Sequence, residues 1–159
     1  MPKEIRELRY SSYIIPVRIK DGEKQIAIIE YKPGAYGTIG GRFEDGETDA
    51  RDVLRRELTE ELNPGAAKMA DFAMEIPEPY RFKVAPERVA LRCAHNEVHN
   101  FFLAEVPADM EITFCEECPG NVHIVWYNAE ALVDEKVIGF PDMREYFEKN
   151  VVPIIQNMN

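Results

Sequence analysis

Cysteine is scarce: Cys93, Cys115 and Cys118 are the only three in a chain of 159 residues. That count is odd and too small for a disulfide framework. Long apolar runs are missing too. No stretch approaches the roughly 20 residues of a membrane-spanning helix, and the opening MPKEIRELRY alternates charge where a secretory signal has an apolar core. Positive charge is the third shortage. Lys and Arg number 19 against 29 Asp and Glu, a net charge of −10. DNA, RNA and anionic lipid are repelled by such a chain unless a local basic patch intervenes. The expectation is a soluble protein of a reducing, cytoplasmic setting that engages neither nucleic acid nor membrane.

What is present describes a globular fold. The length suits one domain spanning residues 1–159, and 45% hydrophobic with 30% charged residues excludes a disordered or collagen-like chain. No repeat, low-complexity tract or linker interrupts it. The acid excess can concentrate divalent cations, so the question becomes where carboxylates cluster.

The segments read as follows. Ser12 to Lys20 predicts a strand, Asp21-Gly22 a turn, and Gln25 to Tyr31 its hairpin partner. Lys32 to Glu47 carries Gly34, Gly37, Gly40, Gly41 and Gly46, a backbone free to approach something closely. A helix follows, with Thr48 as N-cap, apolar positions Ala50, Val53, Leu54, Leu58 and Leu62, a left-handed end at Asn63 and a stop at Pro64. Strands are expected at Met69–Ile76, Tyr80–Val84, Val89–Ala94, Val98–Val106, Glu111–Phe114 and Val122–Trp126. Asn128 should cap a short helix through Leu132, and Pro141 should open a last helix that Pro153 bends or ends. The fold class is α/β, a mixed sheet covered by helices on both faces.

The central helix holds Arg56-Glu57-Leu58-Thr59-Glu60-Glu61. Glu57 and Glu61 lie about 40° apart on the helix wheel, on the arc of Ala50 and Leu54 that faces the protein body. Arg51, Asp52, Arg55 and Thr59 already supply a solvated face, which accounts for Glu60 better than for Glu57 or Glu61. Two like charges at i,i+4 repel, more so when partly buried. A divalent cation between them removes the difficulty, and hard oxygen ligands favour Mg²⁺ or Mn²⁺.

Gly41-Arg-Phe-Glu-Asp-Gly-Glu47, followed by Arg56-Glu-Leu-Thr-Glu-Glu61, resembles the signature box of the Nudix hydrolase superfamily. Two departures stand out. Eight residues, Thr48 to Arg55, separate Glu47 from Arg56 where the motif has seven, and Asn63 and Pro64 replace a glycine and an apolar residue. Gly37 to Gly41, His99 to Ala104, Val122 to Trp126 and Asn128 to Leu132 resemble further elements of the family.

The resemblance implies an α/β/α sandwich and a Mg²⁺- or Mn²⁺-dependent pyrophosphohydrolase acting on a nucleoside diphosphate derivative, with a homodimer as one assembly common in the family. It implies that Glu57 and Glu61 are the principal metal carboxylates, with Glu60 and the Gly40 carbonyl as further ligands. Glu47 and Arg56 would form an ion pair that orients the cluster. Candidates for the general base are Glu61, Glu116 and Glu117. Tyr36, Arg42 and Tyr80 are substrate-binding candidates, beside Tyr31, Arg81 and Phe82; for each, plain packing is the alternative. A nucleotide-binding sensor without catalysis is the alternative function, favoured by the lengthened box. Cys115-Glu-Glu-Cys118 with Cys93 and His95 has the ligand types of a zinc site, but nothing in the sequence brings these segments together. Cys93, His99, His123 and Trp126 read as packing residues.

Overall fold

The structure, a computed structural model, describes residues 4–115, 120 and 122–159. Its first hairpin pairs β1 (Arg6–Lys20) with β2 (Glu23–Lys32). The turn between them uses positive φ at Asp21 and Gly22, the conformation that suits a tight hairpin and that these two residue types adopt readily. Short strands β3 (Ala35–Gly37) and β4 (Ile39–Arg42) follow, then β5 (Met74–Glu75), β6 (Tyr80–Lys83), β7 (Ala94–Glu105) and β8 (His123–Asn128).

Strand β1 organises the sheet. It is antiparallel to β4 from Ser11↔Arg42 to Ile14↔Ile39, and to β2 from Val17↔Ile26 to Lys20↔Glu23. Its other edge runs parallel to β7 from Arg6↔Ala94 to Val17↔Glu105. The order is β3-β2-β1-β7-β5, with β8 added on β2 and β6 on β7.

Both faces of this mixed sheet are covered, which explains the near-continuous apolar runs in β1, β2 and β7. Neighbouring residues divide between the faces with the two-residue period of a strand. Ile14, Ile29 and Phe102 pack against Leu54 and Leu58 of α1 (Ala50–Glu61) and against the short α2 (Pro64–Ala67) and α3 (Met69–Phe72). Ile15, Ile28 and Phe101 pack with Phe147 of α5 (Pro141–Asn150) and Ile155 of α6 (Val152–Gln156). The remaining short helix, α4 (Val89–Arg92), leads into β7.

Several local expectations are corrected. The N-cap of α1 is Asp49, whose carboxylate accepts from Asp52 N, and Thr48 stands one position outside. Asn63 is not left-handed: its φ is −59°, it precedes Pro64 of α2, and its side chain bonds to Thr113 N and the Glu111 carbonyl instead. Met69–Phe72 and Val89–Arg92 are helical turns rather than strands. Cys93 closes α4 in the left-handed region. Glu111–Phe114 forms no strand; it lies along the end of α1, with an isolated bridge between Leu62 and Phe114 and hydrogen bonds to Asn63.

Candidate active site

The glycines ahead of α1 bring backbone and carboxylates together. Gly40 has φ +145°, and a side chain there would strike the Ser12 carbonyl and Tyr13 Cα of β1. At Gly41 a side chain would collide with the carboxylate of Glu57, so the acid lies directly on bare backbone. Ser12 fixes the start of the helix from below, its hydroxyl donating to the Ala50 carbonyl at 2.8 Å. The buried apolar stripe of Val53, Leu54 and Leu58 then sets the helix on the sheet, with Glu57 on the side of the glycines.

Arg56 clamps this arrangement. It meets Glu47 with two parallel hydrogen bonds, Nε to Oε2 at 3.0 Å and Nη2 to Oε1 at 2.8 Å. Nη2 also donates to the Arg42 carbonyl at 2.9 Å, which ties the helix to the end of β4. The remaining nitrogen, Nη1, lies 3.1 Å from Glu57, 3.3 Å from Glu60 and 3.3 Å from Glu44. The pairing with Glu47 thus spans the lengthened loop, whose extra length is taken up without separating the two residues. The Arg56 hydrogen bond, then a backbone bond from Glu44, holds the Glu47 carboxyl below its ordinary value.

One guanidinium therefore serves four carboxylates, and Glu61 adds a fifth acid beside Glu57. Glu61 is pushed up to about 8, first by burial and then by the charge of Glu57. Glu60 points outward, with more than half its side chain exposed. Among the described residues no three His, Cys, Asp or Glu groups converge as a closed metal cage. Arg56 reaches one oxygen of Glu57 and one of Glu60, and Glu57 and Glu61 stand beside each other. Those two fit a hard divalent ion: oxygen donors only, partly buried, and mutually repelling without one.

The other candidates are distributed unevenly. Tyr31 lies with its ring against Gly37, and burial first, with the charges of Tyr13 and Glu61 after it, raises its hydroxyl. Tyr36 is on the face of α5, its hydroxyl 3.1 Å from that of Tyr127. Tyr80 is buried there too, stacked on Phe82 at 5.0 Å. Arg42 sends its guanidinium to that face as well, 3.7 Å from Glu97. Arg81 lines an open cleft of about 740 Å³ with Tyr10, Phe43, Arg51, Val98 and Asn100, which neither Glu57 nor Glu61 reaches.

Glu116, Glu117 and Cys118 lie outside the described residues. Cys115 is anchored at the end of α1, its N–H donating to the Glu61 carbonyl at 2.8 Å and its Sγ to that of Glu60 at 3.2 Å. Cys93 is buried. His95 is exposed and His99 buried, both in β7, while His123 pairs with Glu30 at 2.8 Å and Trp126 lies under the guanidinium of Arg18.

Sequence reasoning missed Glu44 as a partner of Arg56, and it missed Glu97. A signal for Glu97 existed: it shares strand parity with the apolar Phe101 and Leu103, so an acid was being placed on a buried face.

The sequence matches the NUDIX domain family over residues 12–149. A search of curated proteins finds no match. The fold is similar to the E. coli dihydroneopterin triphosphate pyrophosphohydrolase, at TM-score 0.58 and 18% identity over 87% of this chain and 93% of that one. It is also similar to a C. elegans Ap4A hydrolase in a binary complex, at TM-score 0.56 and 14% identity, covering 89% and 96%. A third likeness is the NUDIX domain of Shewanella oneidensis NrtR complexed with ADP ribose, at TM-score 0.52 and 12% identity, covering 89% and 88%.

Proposed function

The chain belongs to the NUDIX family, and on that premise we propose that it is a divalent-metal-dependent hydrolase cleaving the pyrophosphate linkage of a nucleoside diphosphate derivative. One observation carries the reading: Glu57 lies on the bare backbone of Gly41, which has no side chain to block an approaching phosphate, and Glu61 stands beside Glu57, partly buried. Glu57 and Glu61 would hold Mg²⁺ or Mn²⁺, with Glu60 and the Gly40 carbonyl as further ligands. When bound, such an ion offsets phosphate charge and lowers the pKa of a coordinated water.

The chain's own groups do the rest. Arg56, braced by Glu47 and the Arg42 carbonyl, keeps Glu57 and Glu60 from drifting apart. Glu61 is the proton acceptor available on the helix; Glu116 and Glu117 are the alternatives on the segment that follows Cys115. The ring of Tyr31 offers an apolar wall on which a base can stack. The solved neighbours act on or bind dihydroneopterin triphosphate, Ap4A and ADP ribose. They set the range of a substrate panel rather than a choice within it.

That panel is the test: ADP-ribose, nucleotide sugars, dinucleoside polyphosphates and NTPs with Mg²⁺, products identified by mass. Turnover of at least one class, lowered by orders of magnitude in both Glu57→Gln and Glu61→Gln, is expected. Binding without turnover would favour the sensor alternative. Rates unaffected by either substitution would refute the roles given to the pair.

A further inference from the structure

The face of the sheet away from α1 carries a second charged cluster, built on a row that crosses three strands. Arg42 of β4 is in register with Ser11 of β1, and Ser11 with His99 of β7. One step along, Arg9 of β1 is in register with Glu97 of β7. Glu97 is the one acid in this group, and it is buried. Its Oε1 is shared by Arg92 Nη2 at 2.7 Å, His99 Nε2 at 3.2 Å and Arg42 Nη2 at 3.7 Å, while Oε2 takes Arg92 Nε at 2.7 Å. Arg9 spends its Nε on the Cys93 carbonyl at 3.1 Å.

Two guanidiniums thus approach a single carboxylate, and Arg9 stands in strand register with it, in a protein whose net charge is −10. Arg92 takes both oxygens of Glu97, and Arg42 is left with a long contact and a side chain 28% exposed. Burial, and the nearby charges of Arg92 and Arg9, pull the Arg42 guanidinium below its ordinary value despite Glu97. Among the described residues, Ser11 Oγ has no hydrogen-bond partner, nor has His99 Nδ1, which is an acceptor because Nε2 serves Glu97; both residues are more than nine-tenths buried. A buried polar group is normally paired. Surplus positive charge and an unpaired hydroxyl in one row have one common remedy, an anion with several oxygens.

We propose that Arg9, Arg42 and Arg92, with the Ser11 hydroxyl, form a binding site for a phosphoryl group on the face of the sheet opposite α1. The planar fork of arginine matches a tetrahedral oxyanion better than a point charge would. A dianion also balances the two guanidiniums that Glu97 leaves over. The site is separate from Glu57 and Glu61, and it requires neither metal nor turnover. Its ligand is either free phosphate or the phosphate of a nucleotide.

The test is calorimetric titration of the full chain in EDTA with inorganic phosphate and, separately, with AMP, against chloride of equal ionic strength. Saturable binding above the chloride control is expected. It should weaken at least tenfold in Arg42→Gln and in Arg9→Gln, and persist in Glu57→Gln, which separates this site from the metal pair. Arg9→Gln guards against a folding artefact, since Arg9 gives up only a backbone contact. AMP no tighter than phosphate would identify the free anion as the ligand; AMP tighter by tenfold or more would identify a nucleotide. Binding no better than chloride, or binding unchanged in both arginine variants, would overturn the proposal.

Discussion

The carboxylate of Glu57 occupies the volume that a side chain on Gly41 would need. Gly41 is not among the positive-φ glycines, so its backbone accepts alanine without strain. Gly41→Ala should therefore leave the fold intact and push Glu57 aside. A displaced carboxylate of about 1 Å can reduce turnover by about 100-fold. We expect a loss of that order with a melting temperature within a few degrees of the wild type. A variant with normal rates would show that the position of Glu57 on the glycine does not matter.

Arg56 is expected to resist conservative replacement. Lysine keeps the charge but cannot span both oxygens of Glu47 and the Arg42 carbonyl together. Arg56→Lys should lose most of the activity lost in Arg56→Ala. The accompanying stability loss should be modest, about 1 kcal/mol, because the pair is partly exposed. Steady-state rates and thermal melts on both variants decide it: full activity in the lysine variant would remove the fork from the account.

Asn63 stands where the family motif has glycine, yet restoring glycine should harm the protein. Its φ is negative, and its side chain holds Thr113 N at 2.9 Å and the Glu111 carbonyl at 3.2 Å. Asn63→Gly removes both bonds and frees the unfolded backbone, for a loss of about 1–2 kcal/mol. Urea unfolding measures this directly. A stabilised variant would mean that the glycine is missed at this position.

Glu97 links stability to acid pH. Burial alone would raise its carboxyl, but hydrogen bonds from His99 and Arg92 overcome that and hold it at about 2, below the ordinary 4.5. A depressed carboxyl stabilises the fold fully above its unfolded value, and that contribution is lost as pH falls from about 4.5 toward 2. Stability should fall across that window in the wild type, and Glu97→Gln should flatten the slope there while lowering stability at neutral pH. Denaturation curves at a series of pH values test both halves, and an unaltered slope in the variant would assign the acid sensitivity elsewhere.

The sequence made the site more legible than some of the frame around it. Spacing alone put Glu57 and Glu61 on the inward arc of α1, because helix periodicity is local and the apolar positions report its orientation. The Asp21-Gly22 hairpin was readable for the same reason. The short apolar runs were not. Met69–Phe72 buries Met69 and Ala70 against α1, and Arg51 donates to the carbonyls of Ala70 and Ala73 at 2.9 and 2.8 Å. That capping partner is remote in sequence, so a helical turn looked like a strand. Val89–Arg92 ends at a left-handed Cys93, a conformation that residue type does not advertise.

What joins distant segments was invisible for a further reason. Arg42, Ser11, His99 and Glu97 become neighbours only once β1, β4 and β7 have a register, and register depends on which faces are buried throughout the sheet. Glu44 reaches Arg56 because the loop before α1 folds back, with Glu44 N donating to Glu47 Oε1 at 2.7 Å. Neither arrangement follows from spacing along one element.

The parallel zipper of β1 and β7 also bears on how the chain acquires its form. Asn100 reaches back 89 positions to bond to the Ser11 carbonyl, whereas the hairpin, β4 and α1 are all complete by Glu61. A nascent polypeptide leaving the ribosome would carry β1 with one edge open while most of its remaining length is made. Such late, non-local closure slows folding and leaves a sticky strand edge in the interim. Vectorial synthesis at low temperature, or an excess of chaperone, is where recombinant yield should respond most.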